Sequence, residues 1–500
     1  MRLRNVTCLG CFALAAAMVA VGPSCKSSSN GSQGAAQDAG TTPDAGPSNV
    51  ITIGVSNSLT GGLDSTGPSL HDAWTVAQTY INASGGILGK TVNFVEMDDG
   101  SDDNTQSDDG GVVTGVAEKL LALNPAGIIG PQGSAQVNTV WQLFQAKQVV
   151  EISAEATSVE FETLPDDAGP SARYFFRTVP ADELQGKALA LLAQLGPVGA
   201  GGVTPDGGSL SAGDAGSLDG GGGDAAIPNA CPTLALLHYS NAYGTPMSQV
   251  FKAHFPGNVV TEQELTEGEA DNFPAQIAAI HGANPACLAM ILYDTDGDAF
   301  LQAYQTAFPG PFPFFIMATD GVYDSTFLTT GLGSPNAPPS STIVEGVYGT
   351  NPDSNPADPS DSPHYQFFVN LYLTQFPLPA GQTAAADFPT TYQYASNEFD
   401  AAMLFALAIE KAGTATDGPA IRDALLSITN GSGKLHGPDD FTGAVEDILN
   451  GQAITYTGAS GPCRLDPTTG NTTAGYIIWQ VVNGSFITLQ HISANQVQAL

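Results

Sequence analysis

Two short stretches decide the fold: Ile128-Ile129-Gly130-Pro131-Gln132-Gly133-Ser134 and Val150-Glu151-Ile152-Ser153-Ala154-Glu155-Ala156-Thr157-Ser158. Each is an apolar strand run that ends in small residues and hydroxyls and is followed by a helical pattern. In an open α/β sheet, ligands sit outside the carboxyl ends of the strands. Two neighbouring strand ends that offer Ser134, Thr157 and backbone N–H groups form a shelf for an anion. The helix beginning near Ser134, with Val137, Val140, Trp141 and Phe144 on one face, points its positive end at the same place. Ser134 and Thr157 also suit plain helix N-caps, and both roles stand at this point.

Outward from these stretches, strand and helix alternate. Val50 to Val55 reads as a buried strand, and a helix follows with Leu70, Ala73, Trp74, Ala77, Tyr80 and Ile81 on one stripe. Thr91 to Glu96 is the next strand, the stripe Val112, Val116, Leu120, Leu121 the next helix, and Tyr174 to Val179 closes a unit. Pro180-Ala181-Asp182-Glu183 reads as a crossing point. A helix over Ala188 to Leu195 precedes a low-complexity insert, Gly199 to Ala230, which is expected to be a disordered surface loop. Alternation resumes with strands near 233–238, 258–263, 287–293, 312–318 and 343–348. Gly346 to Thr350 is expected to return the chain to the first unit, where Glu398 to Ala412 is a buried helix. Tyr476 to Val482 followed by Asn483-Gly484 reads as a hairpin in the second unit. The expectation is two doubly wound α/β lobes, 50–179 with 350–435 and 180–349 with 436–500.

The 500 residues carry 14 Lys+Arg against 49 Asp+Glu, a formal net charge of −35. Nucleic acid binding needs basic patches that replace counterions, and this balance excludes it, as it does docking on anionic lipid. The acidity suits a solubilised, exported surface. Residues 1–25 support export: Arg2 and Arg4, an apolar run from Cys8 to Val21, then Gly22-Pro23-Ser24-Cys25. This is a secretory signal, too short for a membrane span. Cys25 after small residues resembles a bacterial lipoprotein cleavage site, where the thiol receives lipid; ordinary cleavage nearby is the alternative. Residues 26–49, rich in Ser, Gly, Ala, Asp and Pro, read as a flexible tether. Cys231 immediately precedes the strand from Thr233, and Cys287 the strand from Leu288. If those strands are parallel neighbours, their starts lie side by side and an oxidising compartment permits a disulfide, leaving Cys463 unpaired. No CxxC or His pair stands near these cysteines, so neither metal nor cofactor is expected.

Other motifs fail on context. Ser84-Gly85-Gly86-Ile87-Leu88-Gly89-Lys90-Thr91 almost spells a phosphate loop, but it begins with Ser and leads from helix to strand. Asp98-Asp99-Gly100-Ser101-Asp102-Asp103 lacks EF-hand spacing and is expected to be a solvated acidic loop. No GxSxG elbow, HExxH pair or nucleophile–base pair is present, so no enzymatic activity is expected.

Taken in order, several pieces resemble the type I periplasmic binding proteins, specifically the branched-chain amino acid (Leu/Ile/Val) receptors of ABC importers. They are Ile53-Gly54-Val55 with Leu59-Thr60-Gly61, Ala83 to Lys90, Asp98 to Asp102, Ile129-Gly130-Pro131 with Ser134, Ile152-Ser153 with Ala156-Thr157, Phe176-Arg177-Thr178, Asp182 with Gln185-Gly186, and Asn241 to Gly244. The resemblance implies a Venus-flytrap fold, two lobes joined by three crossovers with a solute closed in the cleft. It implies that Ser134 and Thr157, with backbone N–H near Ala156-Thr157, hold an α-carboxylate, and that Asp320 takes the α-ammonium from the opposite lobe. A plain turn is the alternative for Asp320. Tyr243 and Tyr293 would line the pocket. Glu155 departs from the family pattern: it either faces solvent or adds a negative charge that favours a cationic or differently oriented ligand. The implied partners are a small amino-acid-like solute, an ABC permease and, through Cys25, a membrane, for a periplasmic monomer. A ligand-sensing module for a signalling partner is the alternative.

Overall fold

The computed structural model describes residues 49–101, 111–164, 173–197, 230–268, 273–329, 342–354, 364–379 and 382–500. The signal, Cys25, the tether and nearly all of the insert lie outside them. The first sheet is built from β1 (Val50–Asn57), α1 (Gly67–Ala83), β2 (Thr91–Asp98), α2 (Gly111–Ala122), β3 (Ile128–Ile129), α3 (Ser134–Ala146), β4 (Glu151–Ser153) and β5 (Phe175–Arg177). Its five strands are parallel in the order β2-β1-β3-β4-β5. Ile53, Val55, Ile128, Ile129 and Ile152 are fully buried, as a parallel sheet covered on both faces requires.

The second lobe runs α4 (Asp182–Leu195), β6 (Thr233–Tyr239), α5 (Gly244–His254), β7 (Asn258–Leu265), α6 (Pro274–Ala283), β8 (Cys287–Ile291), α7 (Asp294–Ala307), β9 (Phe315–Ala318) and β10 (Tyr348–Pro352). The chain then adds α8 (Tyr365–Leu373), α9 (Ala384–Thr391), α10 (Ala395–Ala412), α11 (Gly418–Asn430), β11 (Lys434–His436), α12 (Phe441–Leu449) and β12 (Ile454–Tyr456) to the first lobe. It ends with β13 (Tyr476–Val482), β14 (Ser485–Ile492) and α13 (Ala494–Ala499) on the second. The seven-stranded sheet has the order β14-β13-β10-β9-β8-β6-β7. β13 and β14 pair antiparallel through Asn483 and Gly484, both at positive φ, as a two-residue hairpin needs. Disulfide Cys231–Cys287 joins the starts of parallel neighbours β6 and β8, with 5.6 Å between Cα atoms.

Two boundaries differ from the sequence reading. Gly346, at φ +85°, ends a turn over 342–346, so the strand starts after the turn, and β10 belongs to the second sheet, where it pairs with β9 and β13. The return to the first lobe therefore follows Pro352. The 436–465 segment, expected in the second lobe, packs on the first: Phe441, Ala444, Ile448, Ile454, Tyr456 and Leu465 share a core with Ile53, Ile129 and α10. The last passage comes after Leu465, and Pro180 of the first passage bridges Thr472 of the last in parallel.

Candidate functional site: the hollow between the lobes

The carboxyl ends of β3 and β4 carry Gln132, Ser134, Glu155 and Thr157, and those residues face Tyr243, Tyr293 and Asp320 of the second lobe around one narrow hollow. Its free interior is about 20 Å³, space for roughly one water. Leu63, Gly321 and Tyr394 complete the wall. Six of the seven residues singled out in the sequence therefore meet here. Ala156 does not line the hollow; it is buried behind it and its N–H donates to Ser153 Oγ at 3.1 Å.

Neither hydroxyl acts as an N-cap. The N-cap of α3 is Gly133, and Ser134 Oγ instead accepts from the Ser158 N–H at 3.3 Å, tying the two strand-end loops together. Ser158, not Thr157, caps the short turn that follows. The 154–158 loop is held from behind by Arg177, which the sequence offered only as part of the family resemblance. The fully buried guanidinium donates to Ala156 O at 3.1 Å and Ser158 O at 2.8 Å, and through Nε to Asn471 Oδ1 at 2.8 Å. Burial brings its pKa down to about 10.

Asp320, just past β9, is buried and heavily bonded. Its carboxylate accepts from Tyr243 Oη at 3.1 Å and from Tyr394 Oη, and Gln393 donates to its carbonyl at 3.0 Å. Tyr394 belongs to the first lobe, so this bond spans the cleft. Tyr394 sits at φ +58° immediately before α10, a region bulky side chains rarely occupy. Strain of this kind persists only where surrounding contacts enforce it. Tyr243 also meets Thr319 Oγ1 at 2.7 Å and stacks on Tyr293 with ring centroids 5.4 Å apart. Sequence reasoning missed Tyr394 because it read the buried helix only from Glu398; the aromatic pair Tyr392 and Tyr394 at its start was the available signal.

Glu155 faces the hollow rather than solvent: it is 8% exposed and lines the wall. Among the described residues, its carboxylate accepts from Thr66 Oγ1, at 3.1 and 3.2 Å from the two oxygens. Burial pushes its pKa well above the carboxylate range; Thr66 opposes the rise, and Asp320, Asp99 and Asp324 add to it. Asp320 and Asp182 are likewise raised, chiefly by burial. Among the described residues that line the wall there is no Lys, Arg or His. Asp98 and Asp99, expected on a solvated loop, instead clamp the end of β1. Asp99 is fully buried, accepts from Ser56 Oγ at 2.6 Å and Ser58 Oγ at 2.8 Å, and is raised by burial to about 7.

Two α/β sheets, one parallel and one mixed, enclosing a polar hollow at their strand ends define the class. The family model for periplasmic binding proteins matches residues 50–484, and the chain belongs to that family. Among solved structures it is similar to a leucine binding protein from Thermotoga maritima (TM-score 0.62, 18% identity, covering 89% of this chain and 99% of that one). It is also similar to a branched-chain amino acid transporter substrate binding protein from Streptococcus pneumoniae in complex with isoleucine (TM-score 0.61, 16% identity, 89% and 99%). A third is an ABC transporter solute binding protein from R. palustris in complex with benzoate (TM-score 0.60, 14% identity, 89% and 97%). In sequence, an uncharacterised protein of Methanocaldococcus jannaschii is 29% identical over 167 residues, and the match spans 32% of this chain and only 37% of that relative. Among the described residues no helix is long and apolar enough to cross a membrane.

Proposed function

We propose that the chain is the extracytoplasmic receptor of an ABC importer, closing its lobes on an amino acid or related small polar solute and presenting the closed form to a permease. The observation that carries this reading is the shared hollow: Ser134 and Thr157 of one lobe face Asp320 of the other across it. A buried zwitterion needs donors and an acceptor at opposite ends, or its lost hydration is not recovered. The solutes named for the structural relatives, isoleucine and benzoate, both bear a carboxylate, which fits the hydroxyl-bearing rim. The test is calorimetry against an amino acid panel with the wild type and the Ser134→Ala/Thr157→Ala double variant. Losing two hydrogen bonds to a charged group, about 1.5–3 kcal/mol each, lowers affinity for the tightest amino acid at least 100-fold. Unchanged affinity overturns the site. Export with lipid on Cys25 belongs to the same reading. Labelling with a radioactive fatty acid marks the wild type, and Cys25→Ala leaves the protein unlabelled and released from the membrane.

A further inference from the structure

The Glu155 carboxylate is more than nine-tenths buried, faces the hollow and is poorly supplied with donors. A carboxylate has about four acceptor sites, whereas a threonine hydroxyl has one hydrogen. Thr66 Oγ1 lies 3.1 Å from Leu63 O as well as 3.1 and 3.2 Å from the Glu155 oxygens, so that single hydrogen is contested. Across the hollow stands a second carboxylate, Asp320, and the two raise each other's cost of ionisation. The stacked rings of Tyr243 and Tyr293 line the same hollow, and Tyr394 donates to Asp320. Aromatic faces attract cations. A wall of opposed carboxylates and aromatic rings, with no basic side chain among the described residues that line it, lacks positive charge, and a solute is the component that brings it.

We propose that the solute is a small amine bearing two positive charges, with one cationic group at Glu155 of the first lobe and the other at Asp320 of the second. This inference rests on the receptor reading above and narrows its substrate class. Cationic groups beside Glu155 and Asp320 favour the charged carboxylates that burial disfavours, so binding is expected to shift protons off this pair.

The experiment is calorimetry on the mature protein with putrescine, lysine, leucine and benzoate, each at pH 7 in two buffers of different ionisation enthalpy. Putrescine or lysine is expected to bind at least 30-fold tighter than leucine or benzoate, with net proton release. Glu155→Gln, checked by thermal melting, is expected to weaken the preferred amine more than 10-fold without weakening leucine. Lysine over putrescine marks an amino acid whose carboxylate uses Ser134 and Thr157; putrescine over lysine marks a simple diamine. Leucine or benzoate binding tightest, proton uptake with the amines, or an unchanged amine affinity in folded Glu155→Gln each overturns the inference while leaving the receptor reading intact. Silence from all four compounds overturns the inference, and the amino acid panel above decides the receptor reading separately.

Discussion

Asp400 and Glu155 are both buried carboxylates of the first lobe, and they are furnished in opposite ways. Asp400, on α10, accepts from Tyr456 Oη (2.7 Å), the N–H groups of Ala459 and Ser460 (3.0 and 2.7 Å) and Ser460 Oγ (2.6 Å), with Cys463 Sγ at 3.4 Å. The 456–463 segment folds around this one acceptor. Glu155 has a share in one hydroxyl. Burial alone does not tell these two acids apart; the count of donors together with the neighbouring hollow does. A saturated carboxylate fixes the chain about itself, while an undersupplied one beside a hollow is left for something that arrives from outside.

The largest effect tests the saturated member. Asp400→Ala orphans several buried donors and is expected to cost about 3–5 kcal/mol of stability, read by urea unfolding, while solute affinity of the folded fraction holds. A loss under about 1 kcal/mol would erase the contrast. Acidity provides the next test. Asp99 and Asp324 are raised by burial to about 7 and about 6, so the folded form holds protons that the unfolded chain, titrating near 3.8, has already released. Stability contributed by these protonated groups is complete below the unfolded value and is lost as pH rises through the folded one. The melting temperature is therefore expected to fall by several degrees between pH 5 and pH 8, and Asp99→Asn is expected to flatten part of that slope. Tyr394→Phe removes a donor from Asp320, and a neutral partner bonded to a charge is worth about 1.5–3 kcal/mol; it should weaken solute binding about 10-fold in calorimetry. The smallest effect belongs to Glu155→Gln in the absence of solute. Removing an ionisable group that burial disfavours is expected to leave stability at pH 8 unchanged or raise it by up to about 1 kcal/mol, whereas the same change at Asp400 lowers it.

The sheets were legible because each strand run is continuous and apolar, and because Gly and Pro punctuate the turns. The rim of the hollow was legible for a second reason: strand ends in an open α/β sheet are where side chains such as Ser134 and Thr157 converge. The 436–465 segment was misplaced because its apolar face names no partner; amphipathic spacing gives a buried stripe without saying which core receives it. Tyr394 was missed because its position depends on a left-handed backbone and a contact 74 residues away, to Asp320. The burial of Asp99 was missed because two serines of β1 and its turn, Ser56 and Ser58, had to be aligned beside it by strand pairing first.

The hydroxyl of Tyr394 grips Asp320 from the far side of the cleft, so the atoms that would greet a visitor also latch the door. On the receptor reading proposed above, a change at either residue of this pair alters both which guest is welcome and how long it stays inside.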